Sequence, residues 1–146
     1  MFSSTGSCSE QTLQRDALLQ TIDRVSALGC RIFYFTGGEP LIYPGFFDVC
    51  RHILNTPHTH VVILTNALQV EQCIGDLDAL PHDRVHLQVS MDGSEPRHDS
   101  MRGRGAYAQL LKDLSLLRAH HNPVTLSMAV TSRNVDDMPH IIDTAA

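Results

Sequence analysis

The chain has 146 residues, of which 42% are hydrophobic and 18% charged, and it carries a formal net charge of −5. That composition belongs to a folded globular protein and excludes a disordered, collagenous or coiled-coil chain. The length suits one domain with a real core but is short of the roughly 200 residues of a closed α/β barrel, and the acidic balance argues against a general nucleic-acid binder, which needs a basic patch.

In chain order, Thr12 to Leu28 places Leu13, Ala17, Leu18, Ile22, Val25 and Leu28 near one helical face. Gly29 sits where a helix C-cap is expected. Arg31 to Phe35 reads as a buried strand running into Thr36-Gly37-Gly38-Glu39-Pro40. Phe46 to Leu54 reads as a helix, stopped by the Thr56-Pro57 turn. His60 to Leu64 is the next strand, ending at Thr65-Asn66, and Val70 to Leu77 forms a short helix. Val85 to Val89 is a third strand, ending at Ser90-Met91-Asp92-Gly93, with a polar loop from Ser94 to Gly105. Ala106 to His121 is a helix with Tyr107, Leu110, Leu111, Leu114 and Leu117 on one side. After Pro123, Val124 to Val130 is a fourth strand leading to Thr131-Ser132-Arg133-Asn134, and Asp137 to Ala146 begins a further helix.

Strands separated by helices imply an α/β fold with a parallel sheet of right-handed βαβ units. No linker, low-complexity tract or sequence repeat divides the chain, so residues 1–146 read as one domain. All four strands finish in polar, turn-forming residues: TGGE, TN, SMDG and TSRN. In parallel α/β folds, ligands sit at the carboxyl ends of the strands, so these endings mark a candidate binding edge.

No segment has the ~18 consecutive apolar residues of a membrane span, and Met1 to Gln11 has neither the basic start nor the apolar run of a secretory signal. A cytoplasmic protein is expected, and in that compartment its four cysteines, Cys8, Cys30, Cys50 and Cys73, are thiols. Their spacing makes no zinc or redox motif, and Cys30 and Cys50 read as small core hydrophobes.

Gly37-Gly38-Glu39-Pro40 is the most informative stretch. Two glycines permit a sharp bend and a ligand's close approach, and Pro40 fixes its own φ. The turn carbonyls and the Glu39 carboxylate can accept hydrogen bonds from an ammonium group. A plain strand-to-helix turn with an exposed Glu is the competing reading.

The stretch from Phe35 to Phe46, FTGGEPLIYPGF, resembles the second core motif of the radical S-adenosylmethionine (radical SAM) enzymes. Leu64-Thr65-Asn66-Ala67-Leu68 resembles the family's next strand end, usually TNG, with Ala67 in place of Gly. Ser90-Met91-Asp92-Gly93, followed by His98-Asp99 and Arg102-Gly103-Arg104-Gly105-Ala106-Tyr107, resembles the S-x-DG…HD-x-x-RG-x-G-x-F/Y segment of the branch carrying SPASM or twitch domains. Val130 to Met138 resembles the strand and helix entry that follow.

The resemblance implies a partial parallel βα barrel of about four βα units, with S-adenosylmethionine as cofactor. Gly37, Gly38, Glu39 and Pro40 then meet its amino group. Ser90 and Arg102 meet its carboxylate, Arg suiting that role by its planar fork. Asp92 belongs to the same cofactor-binding set. Asn66 either touches the adenosine or stabilises its own turn. Met128 lies near the adenine or in the core. Arg97 and Arg104 read as solvated loop residues, and His98 and Asp99 as residues that shape the loop.

The family's reaction also needs a 4Fe–4S cluster held by a CxxxCxxC motif, which leaves one iron to bind the cofactor and supplies an electron that releases a 5′-deoxyadenosyl radical. This sequence contains no CxxxCxxC, and Cys8 stands alone. The resemblance implies that Met1 lies downstream of that motif, with the barrel's first and last strands outside the chain, so that the chain on its own lacks activity. The implied substrate is a peptide or peptide-derived molecule, with peptide modification or cofactor maturation as the outcome; no metal ligand and no catalytic residue is assigned. Two other readings stand beside it. One is a cluster-less, non-catalytic binding module on the same fold. The other is a flavodoxin-like or Rossmann-like nucleotide binder, for which the G-x-G-x-x-G turn and the Walker loop are lacking. Membrane partners are not expected, and the sequence leaves the oligomeric state open.

Overall fold

The computed structural model describes residues 14–146. Helix α1 (Arg15–Ala27) leads to strand β1 (Ile32–Phe35), α2 (Phe46–Leu54), β2 (His60–Thr65), α3 (Val70–Asp78) and β3 (Val85–Ser90). Helices α4 (Glu95–Arg102) and α5 (Ala106–Ala119), strand β4 (Val124–Ser127) and α6 (Met138–Ala145) follow. The sheet order is β1-β2-β3-β4, every neighbouring pair being parallel.

That order explains the layering. Right-handed crossovers that always step in one direction put every helix on the same face of the sheet. The result is part of a parallel βα barrel. A doubly wound nucleotide binder reverses its strand order to cover both faces, and no reversal occurs among these four strands.

The register sorts the side chains by face. Phe33, Val61 and Val85 stand in one row across the sheet, with Phe35 and Ile63 above them. These pack with Val49, Ile53, Val70, Leu77, Leu110 and Leu117 from the helices into the hydrophobic core. The opposite face carries Ile32, Tyr34, His60, His86 and Thr125, and it is open. Ile32 is 54% exposed and Tyr34 63%, so β1 is half-exposed rather than the buried strand that its apolar run predicts. An apolar run does not reveal whether helices cover one face or two.

Other elements match or differ locally. Helix α1 closes in a Schellman arrangement: the Cys30 N–H donates to the Val25 carbonyl and the Gly29 N–H to the Ser26 carbonyl, both at 3.0 Å. Gly29 takes φ +97° there, as its expected capping role requires. Leu28, expected on the apolar face, is 87% exposed at the C-cap. Thr12, Leu13 and Cys8 lie outside the described residues. The fourth strand is shorter than its apolar run, ending at Ser127. The expected polar loop from Ser94 contains helix α4, of which only His98 is buried. Among the described residues no helix is long and apolar enough to cross a membrane.

Candidate functional site

The turn after β1 begins the site. Gly37 has φ +114°, a conformation that disfavours residues with a Cβ. A Cβ placed on Gly37 or Gly38 meets nothing within 4 Å, so the turn faces open space. Pro40 then starts a short 3₁₀ turn, Pro40–Ile42, and is buried, while Glu39 caps it: its Oε1 accepts from the Leu41 N–H at 3.1 Å.

Glu39 also reaches the next strand. Its Oε1 accepts from the Thr65 hydroxyl at 2.8 Å, and its Oε2 accepts from the Asn66 N–H at 2.9 Å. The carboxylate is thus a bridge between two strand ends. Thr65, 2% exposed, accepts in turn from the Ala67 N–H. Asn66 Oδ1 accepts from the Leu68 N–H at 2.9 Å, an Asx turn. Ala67 has φ +65°, which explains why glycine suits this position.

The end of β3 carries the densest polar structure. Asp92 is buried, and its Oδ2 accepts from Arg102 Nε at 2.6 Å. The Asp92 N–H donates to His98 Nδ1 at 3.2 Å, and Asn134 Nδ2 donates to the Asp92 carbonyl at 3.2 Å. Burial pushes the His98 imidazole below its ordinary pKa, favouring the neutral acceptor that this contact needs. Asp99 accepts from the Gly105 and Tyr107 N–H groups at 2.6 and 2.8 Å, capping α5, and these bonds hold its carboxyl below the usual range. Asp137 accepts from the Ser94 N–H and hydroxyl, both at 2.8 Å. Gly93, with φ +132°, makes room for that contact: a Cβ there would lie 2.5 Å from Asp137 Oδ2. Arg97 donates to the Arg133 carbonyl, and Arg104 is exposed.

The structure therefore brings Gly37, Gly38, Glu39, Pro40 and Asn66 together through the Glu39 bridge, and Ser90, Asp92 and Arg102 together at the end of β3. The two groups lie on one sheet edge, the first spanning the ends of β1 and β2 and the second at the end of β3. Two strand spacings, about 10 Å, separate the β1 and β3 ends. Ser90 pairs with Ser127 across β3 and β4, and its hydroxyl has no hydrogen-bond partner among the described residues. Met128 is half-buried just beyond β4. The strand endings already placed Thr65 and Asn134 on this edge, but not their contacts to Glu39 and Asp92. Sequence reasoning missed Asp137, which lies well past the end of β4 and carries no motif signal.

The described cysteines do not fit a 4Fe–4S cluster. Among the described residues no three Cys, His, Asp or Glu side chains gather to hold a metal ion. Burial pushes the Cys50 thiol up to about 12 and the Cys73 thiol up to about 11, whereas an iron ligand must be a thiolate. Both are core residues.

A four-stranded parallel sheet with helices on one face and a polar carboxyl edge defines an α/β protein of the partial βα-barrel class. The chain belongs to the Radical SAM superfamily, whose family model matches residues 2–145. It is similar to the AdoMet-dependent heme synthase of Methanosarcina barkeri, 29% identical over 97% of this chain and 41% of the relative. It is similar to the sporulation killing factor maturation protein SkfB of Bacillus subtilis, 24% identical over 99% of this chain and 35% of the relative. A GTP 3′,8-cyclase of Pseudomonas putida is 39% identical over 75% of this chain and 33% of its own length. In fold the chain resembles native anSMEcpe with bound AdoMet, with a TM-score of 0.72 at 18% identity over 91% of this chain and 40% of that one. The same protein solved with AdoMet and the Kp18Cys peptide gives 0.69. The chain spans between about a third and two fifths of the length of these relatives.

Proposed function

We propose that the carboxyl edge of this sheet binds the methionyl end of S-adenosylmethionine, and that the chain is the cofactor-binding core of a radical SAM enzyme of peptide modification or cofactor maturation. The observation that carries this reading is the Asp92–Arg102 pair beside Ser90, on the same edge as the open Gly37–Gly38 turn. Arg102 is held at Nε and presents its Nη groups, which have no partner among the described residues. A guanidinium end and a serine hydroxyl suit a carboxylate. The carbonyls of the Gly37–Gly38 turn suit the ammonium group of the same molecule.

Each group then has a defined task. The turn carbonyls accept from the amino group, Ser90 and Arg102 donate to the carboxylate, and Asn66 borders the adenosine with its side chain committed to its own turn. Bound S-adenosylmethionine would supply the adenosyl group that family members release by reductive cleavage of its S–C5′ bond. The electron donor for that cleavage is a cluster the described cysteines do not hold. The named relatives support the substrate classes: SkfB is a maturation protein, and anSMEcpe is solved with a peptide.

Equilibrium dialysis with radiolabelled S-adenosylmethionine tests the site. Saturable binding that methionine competes away is expected; no saturable binding overturns the reading. Iron and sulfide are measured in parallel on the native gene product, purified anaerobically. About four of each per chain supports the enzyme. An iron-free, folded protein that still binds the cofactor points instead to a cluster-less binding module.

A further inference from the structure

The buried carboxylate of Asp92 needs an explanation of its own. Its side chain is 2% exposed, against 33% for Arg102, and its one side-chain partner among the described residues is Arg102 Nε at 2.6 Å. Burying such a pair generally contributes little net stability, because desolvation offsets the attraction. What it does provide is orientation. Arginine can meet a carboxylate through its Nε–Nη side or through its two Nη groups. With Nε taken by Asp92, only the Nη1–Nη2 end remains.

Asp92 is itself held at both backbone groups, by the His98 and Asn134 contacts. Accepting at Nδ1 fixes the neutral His98 tautomer with its proton on Nε2. Asn134 is 1% exposed, and its Oδ1 accepts from the Thr131 N–H at 2.7 Å and the Thr131 hydroxyl at 3.0 Å. Its Nδ2 donates to the Ala129 carbonyl at 3.1 Å as well as to Asp92. A flipped Asn134 amide would set donor against donor, so its orientation is determined. Arg102 is thus anchored through Asp92 to α4 on one side and to the loop after β4 on the other.

We infer that Asp92 is a positioning residue. It takes Arg102 by Nε so that the two Nη groups meet the carboxylate of the bound amino-acid portion, and His98 and Asn134 hold Asp92 in place. This rests on the reading of the site given above. Asp92 touches no ligand in this scheme and acts entirely through Arg102.

The test compares S-adenosylmethionine with its decarboxylated analogue, by calorimetry or dialysis, on the purified chain. The wild type is expected to prefer the carboxylated ligand by about tenfold, the worth of one charge-assisted contact. Arg102→Ala is expected to abolish that preference. Asp92→Ala, which removes the acceptor for Nε, is expected to reduce it to under about threefold without weakening the decarboxylated ligand, and to add nothing when combined with Arg102→Ala. No preference in the wild type overturns the site reading, and this inference with it. A preference lost in Arg102→Ala but kept in Asp92→Ala overturns the positioning role and leaves the site reading intact. Should Asp92→Ala fail to fold, the wild type still decides by arginine-labelled NMR. An Arg102 Nε–H that stays protected from exchange on addition of S-adenosylmethionine supports the inference; one that loses protection on binding overturns it.

Discussion

The Glu39 carboxylate accepts from the Thr65 hydroxyl at 2.8 Å, across the gap between the turn after β1 and the end of β2. With the Asn66 and Leu41 N–H groups as its other donors, both oxygens are engaged by the protein itself. The glutamate of the GGEP turn is therefore a structural clamp first. The turn carbonyls are the acceptors left open for an ammonium group.

Removing that clamp exposes its contribution. Glu39→Ala leaves three donors without acceptors, one of them on the buried Thr65. A loss of about 2–3 kcal/mol is expected in urea unfolding. Glu39→Gln keeps the acceptor for Thr65 and Leu41 but sets an amide donor against the Asn66 N–H, so about half that loss is expected.

Ala67 offers a more specific probe of the same edge. Its left-handed conformation costs roughly 1–2 kcal/mol for a residue with a Cβ, yet its methyl group is fully buried in the core. Burial of one such group returns about 0.8 kcal/mol. Ala67→Gly is therefore expected to shift stability by less than about 1 kcal/mol, in the stabilising direction. Ala67→Val adds a β-branch to a left-handed, closely packed position, and a loss above about 2 kcal/mol is expected. Thermal unfolding of the two variants checks both signs.

These details show what the chain order reveals and what it hides. The alternation of strands and helices is legible because each strand is an apolar run and each run ends in turn-forming residues, as at Thr36-Gly37 and Thr65-Asn66. The Gly37, Glu39, Ser90 and Arg102 positions are legible through the family motifs. Helix α4 is not, because Glu95-Pro96-Arg97-His98-Asp99-Ser100-Met101-Arg102 has no apolar stripe. It is held by polar contacts to Asp92 nearby and to Arg133 and Asp137 far along the chain. The exposure of Tyr34 is hidden for a different reason: it depends on which face the crossovers cover, a property of the whole sheet.

Gly93 is where the loop after β3 meets the turn that carries Asp137. Its φ of +132° and the 2.5 Å distance from a built Cβ to Asp137 Oδ2 act together. Gly93→Ala is expected to break the Asp137–Ser94 contacts and to cost about 2–4 kcal/mol through strain and overpacking. Asp137→Ala removes the obstructing carboxylate but not the backbone strain. Gly93→Ala should therefore cost less in an Asp137→Ala background than in the wild type, a coupling that urea unfolding of the four proteins measures.

The pH dependence of stability tests two buried groups of opposite sign. His98 is held below 6.5 by burial, so the unfolded chain takes up its proton first, and stability falls as pH drops below 6.5 through the folded value. Asp113 is fully buried on α5, with Oδ2 accepting from Gln109 Nε2 at 2.9 Å and Oδ1 without a partner among the described residues. Burial raises its carboxyl above 3.8. The folded state therefore keeps that proton longer than the unfolded chain, and the Asp113 contribution, fully present below 3.8, is lost as pH rises through the raised value. Asp113→Asn removes the buried charge and is expected to be more stable than wild type at pH 7 by about 1 kcal/mol. That gain should shrink towards zero as pH falls to 3.8, where the wild-type carboxyl is protonated in the folded state. Urea midpoints for both proteins between pH 4 and 8 check this. A gain that stays constant across that range would show that the Asp113 carboxyl does not titrate in it.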